Sequence, residues 1–350
     1  MNTKIISHID TPEGLHKGRK AMLNRRQFAK FGAAGAALAT LPQWSLAAAD
    51  NAPVLWGPPV APTVLLALAA QNAALQKAYP GIHAQTWRSP DQLRAGLANK
   101  SMPLTMVPSY VAANFRNQGQ DVGLLNIMTF GLLYIVGKND SVTSLEDLVG
   151  KKLVMPFKQD MPDLVLQALL KKANIDISKI DIQYTATPPE ALLLFMSGKA
   201  DLALLPEPAV SMAQIKGKSM NVDVVRNLSL QELWGGYMGG EARIPQAGLL
   251  ATSAFYDEQQ ALLSTLNSAL DEAVSTCAAD PKQAAEVATK ALEVPAPVLT
   301  AAIPHSNLSN TAAIDISDEI LSFFEVLYQL NPKITGGKMA DEKLFWTMPS

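Results

Sequence analysis

From Pro53 to Val225 the chain repeats one alternation, and this restricts the available folds more than any other feature. Short apolar runs are followed by stretches in which Ala, Leu and Val recur three and four residues apart. The first kind suits strands buried on both faces, the second suits helices with one apolar side. Residues 54–56 read as a first strand, 62–77 as a helix with Pro62 in its first turn, and 82–87 as a strand. Ser89, Pro90 and Gln92 then supply an N-cap, a first-turn proline and a capping-box glutamine. A strand at 104–107 precedes a helix at 109–118, and strands follow at 122–127 and 132–136. Strands separated by helices predict an α/β fold built on an open, mostly parallel sheet with helices on its faces.

The pattern restarts near Gly137. It gives a one-turn helix at 144–147, strands at 152–156, 180–184, 201–205 and 222–225, and helices at 161–172, 188–197 and 207–215. One more strand falls at 245–252, and from there to Gln329 the pattern is helical. The expected architecture has two lobes. Residues 50–136 with 245–350 form lobe 1, and 137–244 form lobe 2 inserted into it. Two lobes joined by two crossings make a hinge and a cleft. The run Trp234-Gly235-Gly236-Tyr237-Met238-Gly239-Gly240 reads either as a cleft-edge loop beside the hinge or as a plain glycine-rich connection. The tail after Pro332 reads as loosely held.

The chain has 350 residues and a formal charge of −2, but the charge is split. Residues 1–49 hold seven Lys/Arg and two Asp/Glu, leaving a body with 22 basic and 29 acidic residues, near −7. A body of that sign is a poor partner for nucleic acid or anionic lipid. The first 49 residues resemble a twin-arginine export signal. Arg25 and Arg26 are paired, Phe28 and Lys30 follow at the matching spacing, and the apolar run from Phe31 to Leu41 is too short and too weak to anchor in a bilayer. Small residues close the segment, and cleavage after Ala49 or Ala47 fits equally well. Asn24, Ala29 and the long basic start depart from the commoner signal, so the general secretory route is the alternative. Export would place the protein in the periplasm, soluble and without a lipid anchor. The twin-arginine translocase, which moves folded proteins, would be a transient partner.

Chemistry-bearing groups are few. Cys277 is the single cysteine, and only His83 and His305 lie beyond residue 49. No intrachain disulfide is possible, and a zinc or copper site lacks ligands. There is no Gly-x-Ser-x-Gly elbow, P-loop or His-Glu-x-x-His. The expectation is a binding protein with no catalytic residue, cofactor or metal. Ligand contacts belong at strand-to-helix turns, where helix N-termini present free N–H groups. Four proline-bearing turns stand out: Trp56-Gly57-Pro58-Pro59, Pro108-Ser109-Tyr110, Pro156-Phe157-Lys158-Gln159-Asp160 and Pro206-Glu207-Pro208.

Residues 144–214 resemble the second lobe of the nitrate/sulfonate/taurine-type solute-binding proteins, a family that also includes binders of thiamine-pyrimidine precursors. The likeness rests on Ser144-Leu145-Glu146-Asp147-Leu148-Val149-Gly150-Lys151-Lys152, on the helix from Leu164 to Ile175, and on Ser197-Gly198-Lys199-Ala200-Asp201 followed by Leu205-Pro206-Glu207-Pro208. It extends more loosely over 55–330. The resemblance implies a type II periplasmic binding fold that clamps a small organic or oxyanion ligand between its lobes and hands it to an ABC permease in the inner membrane, as a monomer. By position it implies that Pro58, Ser109, Tyr110, Thr129, Phe130, Phe157, Lys158, Gln159, Asp160 and Glu207 face the cleft. The turn at 157–160 departs from the small residues usual in the family's anion binders. Asp160 either caps its helix or faces the cleft. Lys158 either grips an anionic group or lies solvated at the rim. The aromatic rings of Trp56, Tyr110, Phe130 and Phe157 are candidates to sandwich a flat ligand. A periplasmic sensor, or an enzyme like the family's pyrimidine synthases, are the alternative functions.

Overall fold

Two β-sheets organise the chain. The computed structural model describes residues 52–349, which lie within one compact unit, Ala47–Ser350. The export signal, with Arg25, Arg26, Phe28 and Ala49, lies outside the described residues. The first sheet contains β1 (Val54–Gly57), β2 (His83–Thr86), β3 (Leu104–Pro108), β4 (Val122–Leu124) and β5 (Asn126–Thr129). The second contains β6 (Leu133–Gly137), β7 (Lys152–Pro156), β8 (Asp181–Thr185), β9 (Leu202–Pro206) and β10 (Val225–Ser229). The chain then returns to the first sheet for β11 (Ala247–Thr252) and β12 (Leu308–Ala312). The orders are β12-β5-β11-β3-β1-β2, with β4 beside β11, and β10-β6-β9-β7-β8.

The α/β class and the two helix-flanked sheets stand as expected, but the sheets are mixed rather than mostly parallel. Only β1 with β2 and β3, and β7 with β8 and β9, pair in parallel. β11 runs antiparallel to β3, β4 and β5, β12 to β5, and β6 to both β9 and β10. Parallel neighbours require a crossover within one sheet. β6 and β11 instead enter their sheets straight from the other lobe, so no crossover constrains their direction. The first crossing is also earlier than 136. β6 pairs with β9, Leu133 opposite Pro206 and Tyr134 opposite Leu205, so residues 130–132 make the passage.

Local chemistry explains most element ends. Asp160 caps the helix Met161–Lys172, whose first turn holds Pro162, and Thr187 caps Pro188–Met196. The expected helix over 62–77 is two, Thr63–Ala69 and Ala73–Ala78, because the Asn72 side chain accepts from Ala74 N and Leu75 N and starts a new helix. Strand β12 escaped the sequence reading because it is a short, polar edge strand set among helices. The glycine-rich run from Trp234 is no loop through most of its length: Leu230–Met238 is a helix. Gly235 is required there, since a Cβ would stand 2.7 Å from the Glu241 carbonyl oxygen.

The tail is held firmly. Leu344, Phe345 and Met348 are buried, Phe345 bridges to Leu124, and Trp346 N donates to Leu124 O. The Trp346 ring packs against Gly123, where an added Cβ would fall 2.0 Å from it. Gly123→Ala is therefore expected to lower stability by about 1–3 kcal/mol through overpacking, read as a lower urea midpoint at unchanged slope.

Three apolar clusters form the interior. One belongs to the first lobe and one to the second, around Phe195. The largest joins the lobes: Val107 and Ile127 of the first, Leu153 and Leu164 of the second, and Phe323 and Phe324 of the helix Ser317–Leu330. That helix packs on Met161–Lys172, so hydrophobic contact runs continuously across the seam.

Candidate functional site

The four proline-bearing turns lie at the carboxyl ends of β1, β3, β7 and β9, and two pairs of them meet across the seam. Ala61 N, three residues beyond Pro58, donates to Glu207 O at 3.1 Å. The Tyr110 hydroxyl donates to Asp160 Oδ1 at 2.5 Å. A third link joins β6 to the first lobe, with the Tyr134 hydroxyl donating to His305 O at 2.8 Å.

On the first lobe the candidate hydroxyls already have partners. Ser109 Oγ donates to Pro245 O and Thr129 Oγ1 to Ser306 O at 2.7 Å, and both residues are fully buried. Pro58 is buried, and its carbonyl accepts from Thr63 Oγ1 at 2.6 Å. Phe130 lies under the Arg243 guanidinium, 4.7 Å from its ring centre. Arg243 also makes a bidentate pair with Glu319, Nε to Oε1 at 2.9 Å and Nη2 to Oε2 at 2.6 Å. The two crossings and the C-terminal helix are thus tied through one side chain.

On the second lobe the turn from Phe157 to Asp160 is tight. Phe157 and Gln159 both have φ near +60°, a conformation costing non-glycine residues roughly 1–2 kcal/mol each. It is held by Phe157 N donating to Thr185 O, Asp160 N to Phe157 O, and Gln159 N to Asp163 Oδ2 at 2.8 Å. Asp160 Oδ1 caps the helix through Met161 N and also accepts from the Tyr110 hydroxyl of the other lobe. Lys158 is exposed, with its ammonium 5.2 Å from the Tyr184 ring centre. Gln159 is exposed and Phe157 half-buried.

Glu207 is fully buried and paired with a cation. Arg226 Nη2 contacts its Oε1 at 2.5 Å, and Ser211 N donates to its Oε2 at 3.1 Å. Burial raises the Glu207 pKa above its usual range, and Arg226 and Ser211 oppose that rise. Arg226 also donates to Gln214 Oε1 and Ser211 Oγ and lies over the Tyr134 ring, while its Nε has no partner. Burial pushes Tyr134 up to about 12. It raises Tyr110 as well, with Asp160 adding to the rise, so both hydroxyls stay protonated donors at neutral pH.

Sequence reasoning missed Arg226, Asp163, Gln231 and Gln246. Gln231 and Gln246 accept from Leu133 N and Leu132 N and so satisfy the backbone of the first crossing. Arg226 left one readable signal, a lone cation in the otherwise neutral strand Val225–Ser229. Cavities of about 720 Å³ beside β2 and about 340 Å³ beside the return crossing are lined by none of the ten candidate residues. Among the described residues no group of His, Cys, Asp or Glu could hold a metal, and no helix is long and apolar enough to cross a membrane. Cys277 is buried, which pushes its thiol up to about 12.

Two mixed sheets, two crossings and strand ends facing across a seam define the two-lobed architecture of periplasmic binding proteins. An ABC transporter protein from Parabacteroides distasonis superposes with a TM-score of 0.68 at 19% identity, covering 85% of this chain and 99% of that one. The periplasmic aliphatic sulphonate binding protein SsuA of Escherichia coli follows with a TM-score of 0.62 at 18% identity, over 85% and 92%. The periplasmic nitrate-binding protein NrtA of Synechocystis gives a TM-score of 0.63 at 13% identity, over 84% and 88%. The family model described as NMT1/THI5 like matches residues 121–284, which run from β4 through the second lobe and back into the first as far as the start of the helix Pro281–Leu292. A sequence search of the curated proteins finds no match.

Proposed function

We propose that this protein is the solute-binding component of an ABC uptake system, working in the periplasm without catalysis and clamping a small ligand between its lobes. The observation that carries this reading is the seam itself. Turns from both lobes, each opening a helix, meet there through polar contacts, Ala61 to Glu207 and Tyr110 to Asp160 among them, beside the apolar cluster that also spans the lobes, at the position where lobes part when such folds open. The site offers no nucleophile–base pair and no cluster of metal ligands among the described residues, and buried Cys277 is held as a neutral thiol. The fold neighbours named for sulphonate and nitrate binding support the same class. Export by the twin-arginine route and action as a monomer belong to this proposal.

A thermal-shift screen of the full chain tests it. The panel should span sulfonates, nitrate, thiamine precursors, amino acids and organic amines, with small-angle scattering read in parallel. A true ligand at a hundred times its Kd adds about 2.7 kcal/mol to the folded state, which raises Tm by several degrees. The scattering radius should fall on binding as open molecules close. A flat melting profile across the panel, with no change in radius, would overturn the reading.

A further inference from the structure

Away from the seam, the first sheet ends in an open edge. Strand β2 (His83–Thr86) is last in the strand order, with β1 on one side and, among the described residues, no strand on the other. The two pair in parallel, Val54 opposite His83 and Gly57 opposite Thr86. His83 N donates to Pro53 O and Trp87 N to Gly57 O, so the odd-numbered residues turn their backbone toward β1. Backbone groups alternate sides along a strand, so Ala84 and Thr86 turn theirs outward. Among the described residues, no backbone hydrogen bond reaches these two N–H and two C=O groups from the open side.

Ala84, Gln85 and Thr86 line a groove of about 720 Å³, and the helix Pro281–Leu292 forms its other wall. Ala84 and Ala291 both pack on the apolar cluster of the first lobe, and Val287, one turn before Ala291, is 36% exposed. A small apolar floor therefore lies beside unpaired backbone. The charged groups of the walls are Arg88, Lys290 and Glu293, with His83 also present. Arg88 and Glu293 face each other at 3.8 Å, and Lys290 enters no ion pair among the described residues. The groove is thus positive on a body whose own charge is near −7.

We propose that this groove binds an extended acidic segment of a partner protein, which adds to β2 as a further edge strand. The outward groups of Ala84 and Thr86 repeat at about 6.6 Å, two strand rises, which is the spacing of a neighbouring strand. Such a strand satisfies all four backbone groups, and its alternate side chains lie over Val287 and Ala291. The remaining side chains reach the rim, where carboxylates meet Lys290 and Arg88. A second copy of this chain fits less well. A two-fold axis through the edge would set Lys290 and Arg88 against their own counterparts, like charge against like. The groove shares no residue with the four seam turns, so this interaction is independent of the ligand held between the lobes.

A fluorescein-labelled peptide, Glu-Val-Glu-Val-Glu blocked at its C-terminus, tests this by anisotropy titration into the full chain. It should bind about tenfold or more tightly than the peptide with Lys at every Glu position, and more weakly as salt rises. Thr86→Pro removes one outward N–H at a position where edge strands accept proline, and it should weaken binding about tenfold or more. Lys290→Glu, on an exposed part of its helix, should do the same without touching the strand. Melting and circular dichroism check that both variants stay folded. Hydrogen exchange gives a readout that needs no variant: the peptide should slow the amides of Ala84 and Thr86 and leave those of His83 and Gln85 unchanged. Equal binding of the Glu and Lys peptides would overturn the acidic assignment. Unchanged exchange at Ala84 and Thr86 under saturating peptide would overturn strand addition, as would no anisotropy change at about 1 mM protein. A dimer in sedimentation that Thr86→Pro abolishes would give the edge to a second copy and overturn the proposal.

Discussion

Replacing Arg226 with methionine is expected to remove about 3–5 kcal/mol of folding stability at pH 7, measured by urea unfolding. The cause is the carboxylate it leaves behind. Glu207 has no exposed surface, and its remaining donor is Ser211 N. The loss should depend on pH. The folded pKa of Glu207 is raised, mainly by burial, so its contribution to stability is full below the unfolded value near 4.5 and is lost as pH rises through the folded one. In the native chain Arg226 limits that loss by favouring the carboxylate. Without Arg226 the folded pKa climbs further and the loss grows. The difference between variant and native protein should therefore be small near pH 4 and reach its full size toward neutrality. Adding Glu207→Gln to Arg226→Met removes the charge, keeps an acceptor for Ser211 N, and should recover most of the loss. A pH-independent cost under about 1 kcal/mol, the range of an exposed pair, would show that water reaches Glu207 and that the pair is not a buried one.

Trp234→Ala should cost a similar amount, about 3–5 kcal/mol, for a different reason. Trp234 is nearly buried on the helix Leu230–Met238, just before the return crossing. Its ring meets Phe323 of the C-terminal helix edge-to-face, 5.3 Å between centres at 68°. Both belong to the apolar cluster that spans the lobes. Truncating the ring opens a void at the place where the second lobe is tied to the first. Fluorescence and circular dichroism should then report separated unfolding transitions for the variant, against a single transition expected for the native chain, whose apolar core spans both lobes. A double-mutant cycle with Phe323→Ala should return a coupling of about 0.5–1.5 kcal/mol. Full additivity would mean that the two rings contribute independently and that the lobes are joined elsewhere.

Much of the fold was legible because its signals are local. The helix Met161–Lys172 has the bounds its sequence predicts, since Asp160 and Pro162 start it and Lys171 and Lys172 suit its end. The strands 152–156 and 104–107 are legible as short, mostly apolar runs, and residues 153–156 and 104–107 are all buried. Strand direction was not legible. A run such as 247–252 looks the same whether it lies parallel or antiparallel, and only its arrival from the other lobe decides that. The tail misled for a related reason. Its glycines and lysines read as loose, while Leu344 and Phe345 are buried in the apolar cluster that spans the lobes and Trp346 packs against Gly123 and Tyr256.

The site divides in the same way. Sequence by itself determined which turns carry candidate residues, because prolines and caps act on their immediate neighbours. It also determined that the chain has too few His and Cys residues for most metal chemistry. It left Asp160 divided between cap and cleft and Lys158 between clamp and rim. Tertiary structure alone brought Tyr110 to Asp160, fifty residues away, and Arg226 to Glu207. It alone engaged Ser109 and Thr129 with carbonyls of segments 136 and 177 residues distant. A hydroxyl's availability depends on what the fold packs against it. A carboxylate's charge balance depends on which cation the fold delivers. Neither property is local, so only the assembled lobes decide what the cleft can bind.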